Sequence, residues 1–166
     1  NLVVGIASGE LLDVREFTID EGISELFEVR VVAMSRSADV DFDSAVGGRA
    51  RFELREGKGR AWEGVASRIE QVAVEEDGLS TYEIVIVPQL WLLTQRRNYR
   101  VFQDASELDI VREVLAEWDI TPRLDLDAAS YGKRRYRTQY AESDFQFVSR
   151  MLEDAAGLSG LQSRRR

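Results

Sequence analysis

The sequence contains no histidine and no cysteine. A Ser-His-Asp or Cys-His site therefore cannot be built within it, and neither can a zinc site based on imidazole or thiolate. Disulfides are excluded, which by itself says little about compartment. Only two prolines interrupt the chain. No apolar run approaches the roughly 18–20 residues that a bilayer-spanning helix needs. Walker-type and dinucleotide-binding glycine patterns are both missing. Basic charge is in deficit: 22 Lys and Arg stand against 30 Asp and Glu, for a net charge of −8. An acidic whole argues against a nucleic-acid surface. The chain begins at Asn1, with no signal-peptide pattern ahead of its first apolar segment, and it reads as a fragment.

What is present is a chain of 166 residues, 44% hydrophobic and 31% charged. That is enough for one domain with a core and part of another. Residues 1–88 read as antiparallel β. Val14, Phe17 and Ile19 face one way, and Phe27, Val29, Val31 and Ala33 alternate with Glu28 and Arg30. Ala50, Phe52 and Leu54 alternate with Arg51 and Glu53. Glu56-Gly57-Lys58-Gly59 is a hairpin turn, and Glu75-Glu76-Asp77-Gly78 is another. Tyr82–Val87 is apolar on both faces late in its course and predicts a central strand. Strands of this kind need their edges covered or closed, so a curled sheet or small barrel is expected.

Pro88 stops that pattern. Gln89–Thr94 predicts one or two helical turns plugging the β unit, with Trp91 as anchor. Ser106 predicts the cap of a helix carrying Val111, Val114, Leu115 and Trp118 on one face. Residues 119–129 read as a loop. Tyr136, Thr138 and Tyr140 suit a pleated strand. Ser143 followed by Gln146 is a capping box, with Asp144 complementing the helix dipole. Phe145, Val148, Leu152 and Ala155 predict the buried stripe of the last helix, with Phe147 and Met151 as a second row. Gly157 is placed to end it in the left-handed region. The domain division expected is a barrel-like domain at 1–88, a mixed α/β segment with two amphipathic helices at 89–157, and a tail at 158–166.

Reactive constellations are poor. Ser130-Tyr131-Gly132-Lys133 matches S-x-x-K on paper, in a polar loop without companion motifs. Asp39, Asp41 and Asp43 would share one face of a strand, but the spacing of a calcium loop is missing. The basic clusters Arg96–Arg100 and Lys133–Arg137 read as strand or loop faces pairing with the surplus acids.

One run carries distinctive wording: Gln139-Tyr140-x-Glu142-Ser143-Asp144-Phe145-x-Phe147-Val148-Ser149-Arg150-x-Leu152-Glu153. It resembles the signature of VgrG proteins, the spike proteins of type VI secretion systems, which are related to the baseplate hub of contractile phage tails. Trp62-Glu63-Gly64-Val65 resembles the family's aromatic-His-Gly strand, with Glu63 in place of histidine. Val87-Pro88-Gln89-Leu90-Trp91-Leu92-Leu93-Thr94 and Arg100-Val101-Phe102-Gln103-Asp104 continue the resemblance in order. The signature positions are Gly64, Pro88, Leu90, Trp91, Phe102, Gln139, Tyr140, Glu142, Ser143, Asp144, Phe145, Phe147, Arg150 and Leu152.

The resemblance implies an α+β, mainly β fold: an antiparallel tube-like β-barrel of the phage tail hub type, followed by the start of an α/β subdomain. It implies a structural part without catalytic, cofactor-binding or metal-binding residues. In the full-length protein it implies a homotrimer on Hcp-like tube rings, carrying a needle and effector or adaptor proteins. It implies assembly in the bacterial cytoplasm and secretion by the machine, with no nucleic acid bound and no stable membrane insertion of this region. The hub of a phage tail or extracellular injection particle is the alternative within the same architecture. A hub fused to a cell-wall hydrolase lying outside these residues is the alternative of another class.

Overall fold

A computed structural model of the chain describes residues 2–10, 12–36, 40–74, 78–123 and 131–163, with side chains as far as Ala156. The chain divides into two compact units, Asn1–Gln89 and Leu90–Arg166.

The first unit contains β1 (Leu2–Ile6), β2 (Asp13–Asp20), β3 (Glu28–Ser35), α1 (Phe42–Ala45), β4 (Arg49–Leu54), β5 (Arg60–Val74) and β6 (Ser80–Val87). The strands form one antiparallel sheet in the order β1-β4-β5-β6-β3-β2. The alternation visible in the sequence decides its faces. Val29, Val31 and Ala33 of β3 are buried, as are Phe52 of β4 and Ile84 and Ile86 of β6. The sheet curls. Phe17 on the edge strand β2 meets Phe52 near the opposite edge, with ring centroids 5.0 Å apart. A bridge between Val4 and Leu12 brings β1 and β2 together. Two bulges in β5, at Ala66/Arg68 and Gln71/Ala73, supply bend and twist to its longest strand. β6 lies between β5 and β3, the central position its double-sided apolarity predicts.

Asp41 does not lie on a strand. Its carboxylate accepts from the Ser44 amide and caps α1, so Asp41 and Asp43 share no strand face. An acid three residues before a free amide is a helix start whenever the chain can turn there. Asp39, the Glu75-Glu76-Asp77 turn, Ser130 and most of the loop before it lie outside the described residues.

The second unit holds β7 (Arg97–Ala105), α2 (Glu107–Ala116), β8 (Arg134–Ser143) and α3 (Asp144–Ser163). A 3-10 turn, Gln89–Thr94, precedes them. β7 and β8 form an antiparallel ribbon. The core comprises Leu93, Phe102, Ile110, Val111, Val114, Leu115, Phe147, Val148 and Met151. The residue that the 3-10 turn buries completely is Leu93, not Trp91, which is only half-buried. With three residues per turn, a short 3-10 segment gives one position full burial, and Leu93 faces the helices.

Two further expectations are corrected here. The buried row of α3 is Phe147, Val148, Met151 and Ala155, whereas Phe145 is half-buried and Leu152 is 41% exposed. The phase of the helix is set by Asp144, which turns inward; three, four and seven residues later the chain faces the same way. α3 also continues through Gly157 to Ser163. Each glycine inside a helix costs about 1 kcal/mol, and α3 carries two in this stretch, Gly157 and Gly160. On β8 the tyrosines face solvent, and the inward residue is Gln139, completely buried.

Candidate functional site

Five of the signature residues, Gln139, Glu142, Ser143, Asp144 and Arg150, converge where β8 delivers into α3. Ser143 caps the helix reciprocally with Gln146: its amide donates to Gln146 Oε1 at 3.0 Å, and the Gln146 amide donates to Ser143 Oγ at 3.1 Å. The capping box satisfies two amides that a helix start leaves free. Asp144, the first helical residue, has no exposed surface. Its Oδ1 accepts from Gln139 Nε2 at 2.8 Å and Arg100 Nη2 at 2.9 Å. Its Oδ2 accepts from Arg96 Nε at 2.7 Å and Trp118 Nε1 at 3.1 Å. Burial pushes the Asp144 carboxyl up; hydrogen bonds from Gln139, Trp118 and Arg96 and the charge of Arg100 outweigh it and hold the group below its ordinary value. Glu117 bridges the same two arginines from the end of α2. On the other side of the junction, Arg150 reaches back from α3 to Glu142 and to the Thr138 carbonyl.

A second cluster repeats the device at the start of α2. Ser106 and Asp109 form the capping box, and Glu107 follows the cap, fully buried. Arg134 Nε donates to its Oε1 at 3.0 Å and Arg137 Nη2 at 2.5 Å. Burial raises the Glu107 pKa, while bonds from Arg137, its own amide and Arg134 lower it further, so the net shift is downward. Each helix thus begins with a cap serine followed by a buried acid, and each acid is clamped by arginines from the ribbon region. The arrangement favours the ionised form of both carboxylates: both oxygens of Asp144 accept hydrogen bonds, while Glu107 is held through Oε1 and its Oε2 has no partner among the described residues. Its chemical consequence is rigidity between strand and helix.

The other signature residues fall in separate places. Gly64 and Pro88 come together in the first unit: a Cβ on Gly64 would overlap the Val87 carbonyl oxygen and lie 3.0 Å from Pro88 Cα. Leu90 is exposed at the surface and Trp91 half-buried. Phe102 stacks on Phe147 with centroids 5.5 Å apart inside the second unit. Tyr140 faces solvent beside Tyr99. Glu63, where the resembled family has histidine, pairs with Arg51 at 2.6 Å across β4 and β5. Sequence reasoning missed Arg96, Arg100, Trp118, Glu107, Arg134 and Arg137 as partners of the helix starts. The signal available for them was the serine-acid step at both helix starts, matched by paired arginines in both basic clusters.

The family model of the phage tail baseplate hub (GPD) matches residues 20–159. The chain is 28% identical over 146 residues to the type VI secretion system spike protein VgrG1b of Pseudomonas aeruginosa, covering 87% of this chain and 20% of that protein. It is 34% identical over 148 residues to the spike protein VgrG4b of the same organism, covering 86% and 18%. The chain therefore spans about a fifth of the length of these relatives. Among solved structures it resembles the E. coli c3393 protein, a component of the type VI secretion system similar in structure to the T4 bacteriophage tail proteins gp27 and gp5. The TM-score is 0.78 and the identity 25%, with 90% of this chain and 42% of that one covered. It also shares its fold with a chain of the Francisella PdpA-VgrG complex, at a TM-score of 0.67 and 11% identity, over 92% of this chain and 28% of the other.

Proposed function

Because the chain belongs to the phage tail baseplate hub family, we propose that it forms the first part of the hub of a VgrG-type secretion spike. The observation that carries this reading is the alignment with the Pseudomonas spike proteins, which runs through 87% of this chain for VgrG1b. In it, the curled sheet of residues 1–88 is a wall element of the hub. The α/β piece of residues 89–157 is braced by the two buried acid clusters. Three copies of the complete protein surround one axis, meet a tube of Hcp-like rings on one side and carry the needle on the other. Effector or adaptor proteins ride on the assembly, which forms in the cytoplasm and leaves with the machine. The region works as a building block and performs no turnover of its own.

The similarity of c3393 to phage tail proteins favours one second reading, the hub of a phage tail or extracellular injection particle. Gene neighbourhood separates the two, since membrane-complex genes accompany secretion loci and tail-fibre genes do not.

The test is light scattering and co-sedimentation on the complete gene product. A trimer that pellets with Hcp rings is the result expected. A strictly monomeric protein that leaves the rings unbound overturns the reading. Cell-wall hydrolysis by this region, abolished by one carboxylate substitution, would establish an enzyme instead.

A further inference from the structure

A pocket of about 780 Å³ opens in the first unit where the two edges of the curled sheet meet. That volume falls in the range of sites that hold small ligands, roughly 300–1,000 Å³. Its apolar lining comes from separate parts of the chain: Leu2 and Val4 of β1, Leu12 ahead of β2, Met34 of β3 and Leu79 ahead of β6. Apart from Val4, each of these side chains is only half-buried. Large aliphatic groups left half-covered around one concavity are surface that a ligand can dry.

Two ionisable groups of the lining lack the partners that such groups normally have. Glu10 reaches the pocket, and its Oε2 is buried without a hydrogen bond among the described residues. A buried acceptor left unmade is costly, and more so when it carries charge. Arg36, just past the end of β3, also lines the pocket and makes no ion pair among the described residues. The other guanidinium of the lining is already committed, since Arg15 pairs with Asp13 at 2.9 Å. The pocket thus offers one acceptor and one cation beside an aliphatic floor.

These three features select a class of occupant. A fatty acid has an aliphatic body and an anion, but no donor for Glu10. An aliphatic amine has a body and a donor, but nothing for Arg36. The last residues of a polypeptide carry all three: aliphatic side chains, backbone N–H groups, and a terminal carboxylate that a guanidinium can grip with two parallel hydrogen bonds. The neighbouring backbone suits an extended chain. β1 is paired with β4 along one edge and joins β2 along the other by a single bridge, Val4 to Leu12. The rest of that edge has no partner strand among the described residues. Strand addition at such an edge draws affinity from the main chain and specificity from adjoining pockets.

We infer that this pocket captures the C-terminal end of a partner polypeptide whose last residues are aliphatic, with Arg36 on the carboxylate and Glu10 on a backbone N–H. Capture of this kind needs one copy of the chain and is independent of the hub reading above.

The test is fluorescence anisotropy on the complete gene product. The probes are N-terminally labelled hexapeptides whose last two positions run through valine, leucine, isoleucine and methionine. Each is made with a free carboxylate and as its C-terminal amide. The result expected is saturable binding of at least one carboxylate peptide, one per chain, with its amide about tenfold weaker. Arg36→Ala should remove the difference between the two forms, and Arg36→Lys should restore part of it. Glu10→Gln keeps an acceptor without the charge and should weaken both forms alike. Arg36 is exposed and Glu10 half-buried, and circular dichroism checks that each variant folds. Absence of saturable binding across the whole set overturns the inference. So does equal binding of acid and amide, or a difference that survives Arg36→Ala. Decanoate or decylamine binding more tightly than every peptide means a lipid-like occupant and overturns it as well. A monomeric gene product that binds the peptides as expected removes the hub reading and leaves the pocket assigned.

Discussion

The side-chain amide of Gln139 donates to Asp144 Oδ1 at 2.8 Å in a place where neither residue has exposed surface. This bond ties the completely buried Gln139 of β8 to the first residue of α3. Arg100 closes the triangle by donating to Gln139 Oε1 at 3.0 Å and to Asp144. Asp144→Ala would remove the shared buried acceptor of two partly buried arginines, an amide and an indole, leaving the arginines only Glu117 as a charge partner. The expected cost is about 3 kcal/mol, within the range for breaking a buried ion pair by removing one partner. Asp144→Asn keeps the shape and should cost less. Urea midpoints of the two variants, with unchanged slopes, would check the order.

Both buried acids predict a direction for acid stability. Asp144 and Glu107 have folded-state pKa values below their ordinary ones. The unfolded chain therefore takes up protons first as the pH falls. The stability these groups provide is fully present above the ordinary carboxylate range and is lost as pH drops through it toward the lower native values. Denaturation midpoints from pH 7 to pH 3 should fall steeply below about pH 4.5. In the Asp144→Asn variant the slope should be shallower. A variant with the same slope as the unsubstituted chain would exclude Asp144 as a contributor.

The alternation rule read the sheet well because each strand of the first unit has one face in a core, and Val29, Val31, Phe52 and Ile84 obey it. The caps were legible for a similar reason: Ser143 and Gln146, or Ser106 and its acid three residues on, act within one turn. The phase of α3 was not. Hydrophobicity alone gives Phe145 and Phe147 equal claims to the core. The choice between them lies with Asp144, whose partners Arg96 and Arg100 stand more than forty residues earlier in sequence. A charge at a helix start normally faces water, and only the long-range arginines make its burial affordable.

The corrected phase separates two aromatic substitutions that the sequence treats alike. Phe147 is fully buried against Phe102, whereas Phe145 is half-buried. Phe147→Ala should cost about 3–5 kcal/mol. Phe145→Ala should cost clearly less, and Leu152→Ala should change stability by under about 1 kcal/mol. Thermal melts of the three variants check the ranking, and a Phe145 variant as damaged as the Phe147 variant would contradict the observed burial.

Glycine at 64 is the sharpest steric prediction, because two effects oppose each other there. In a strand, replacing glycine by alanine normally gains about 0.5–1 kcal/mol from the unfolded chain. Gly5 in β1 is such a place: a Cβ would meet nothing within 4 Å. Gly64 in β5 is different, since its Cβ would overlap the Val87 carbonyl oxygen and lie 2.8 Å from the carbonyl carbon. Those atoms belong to backbone where β6 ends at Pro88, and backbone in a paired strand cannot swing aside as a side chain would. Forcing the strands apart should cost about 1–3 kcal/mol, more than the gain in chain entropy. Gly64→Ala should therefore lower the melting temperature while Gly5→Ala leaves it unchanged or raises it. The pair shares one chemical change and differs only in the space around it, so equal effects at both positions would mean that β6 does not approach β5 as described.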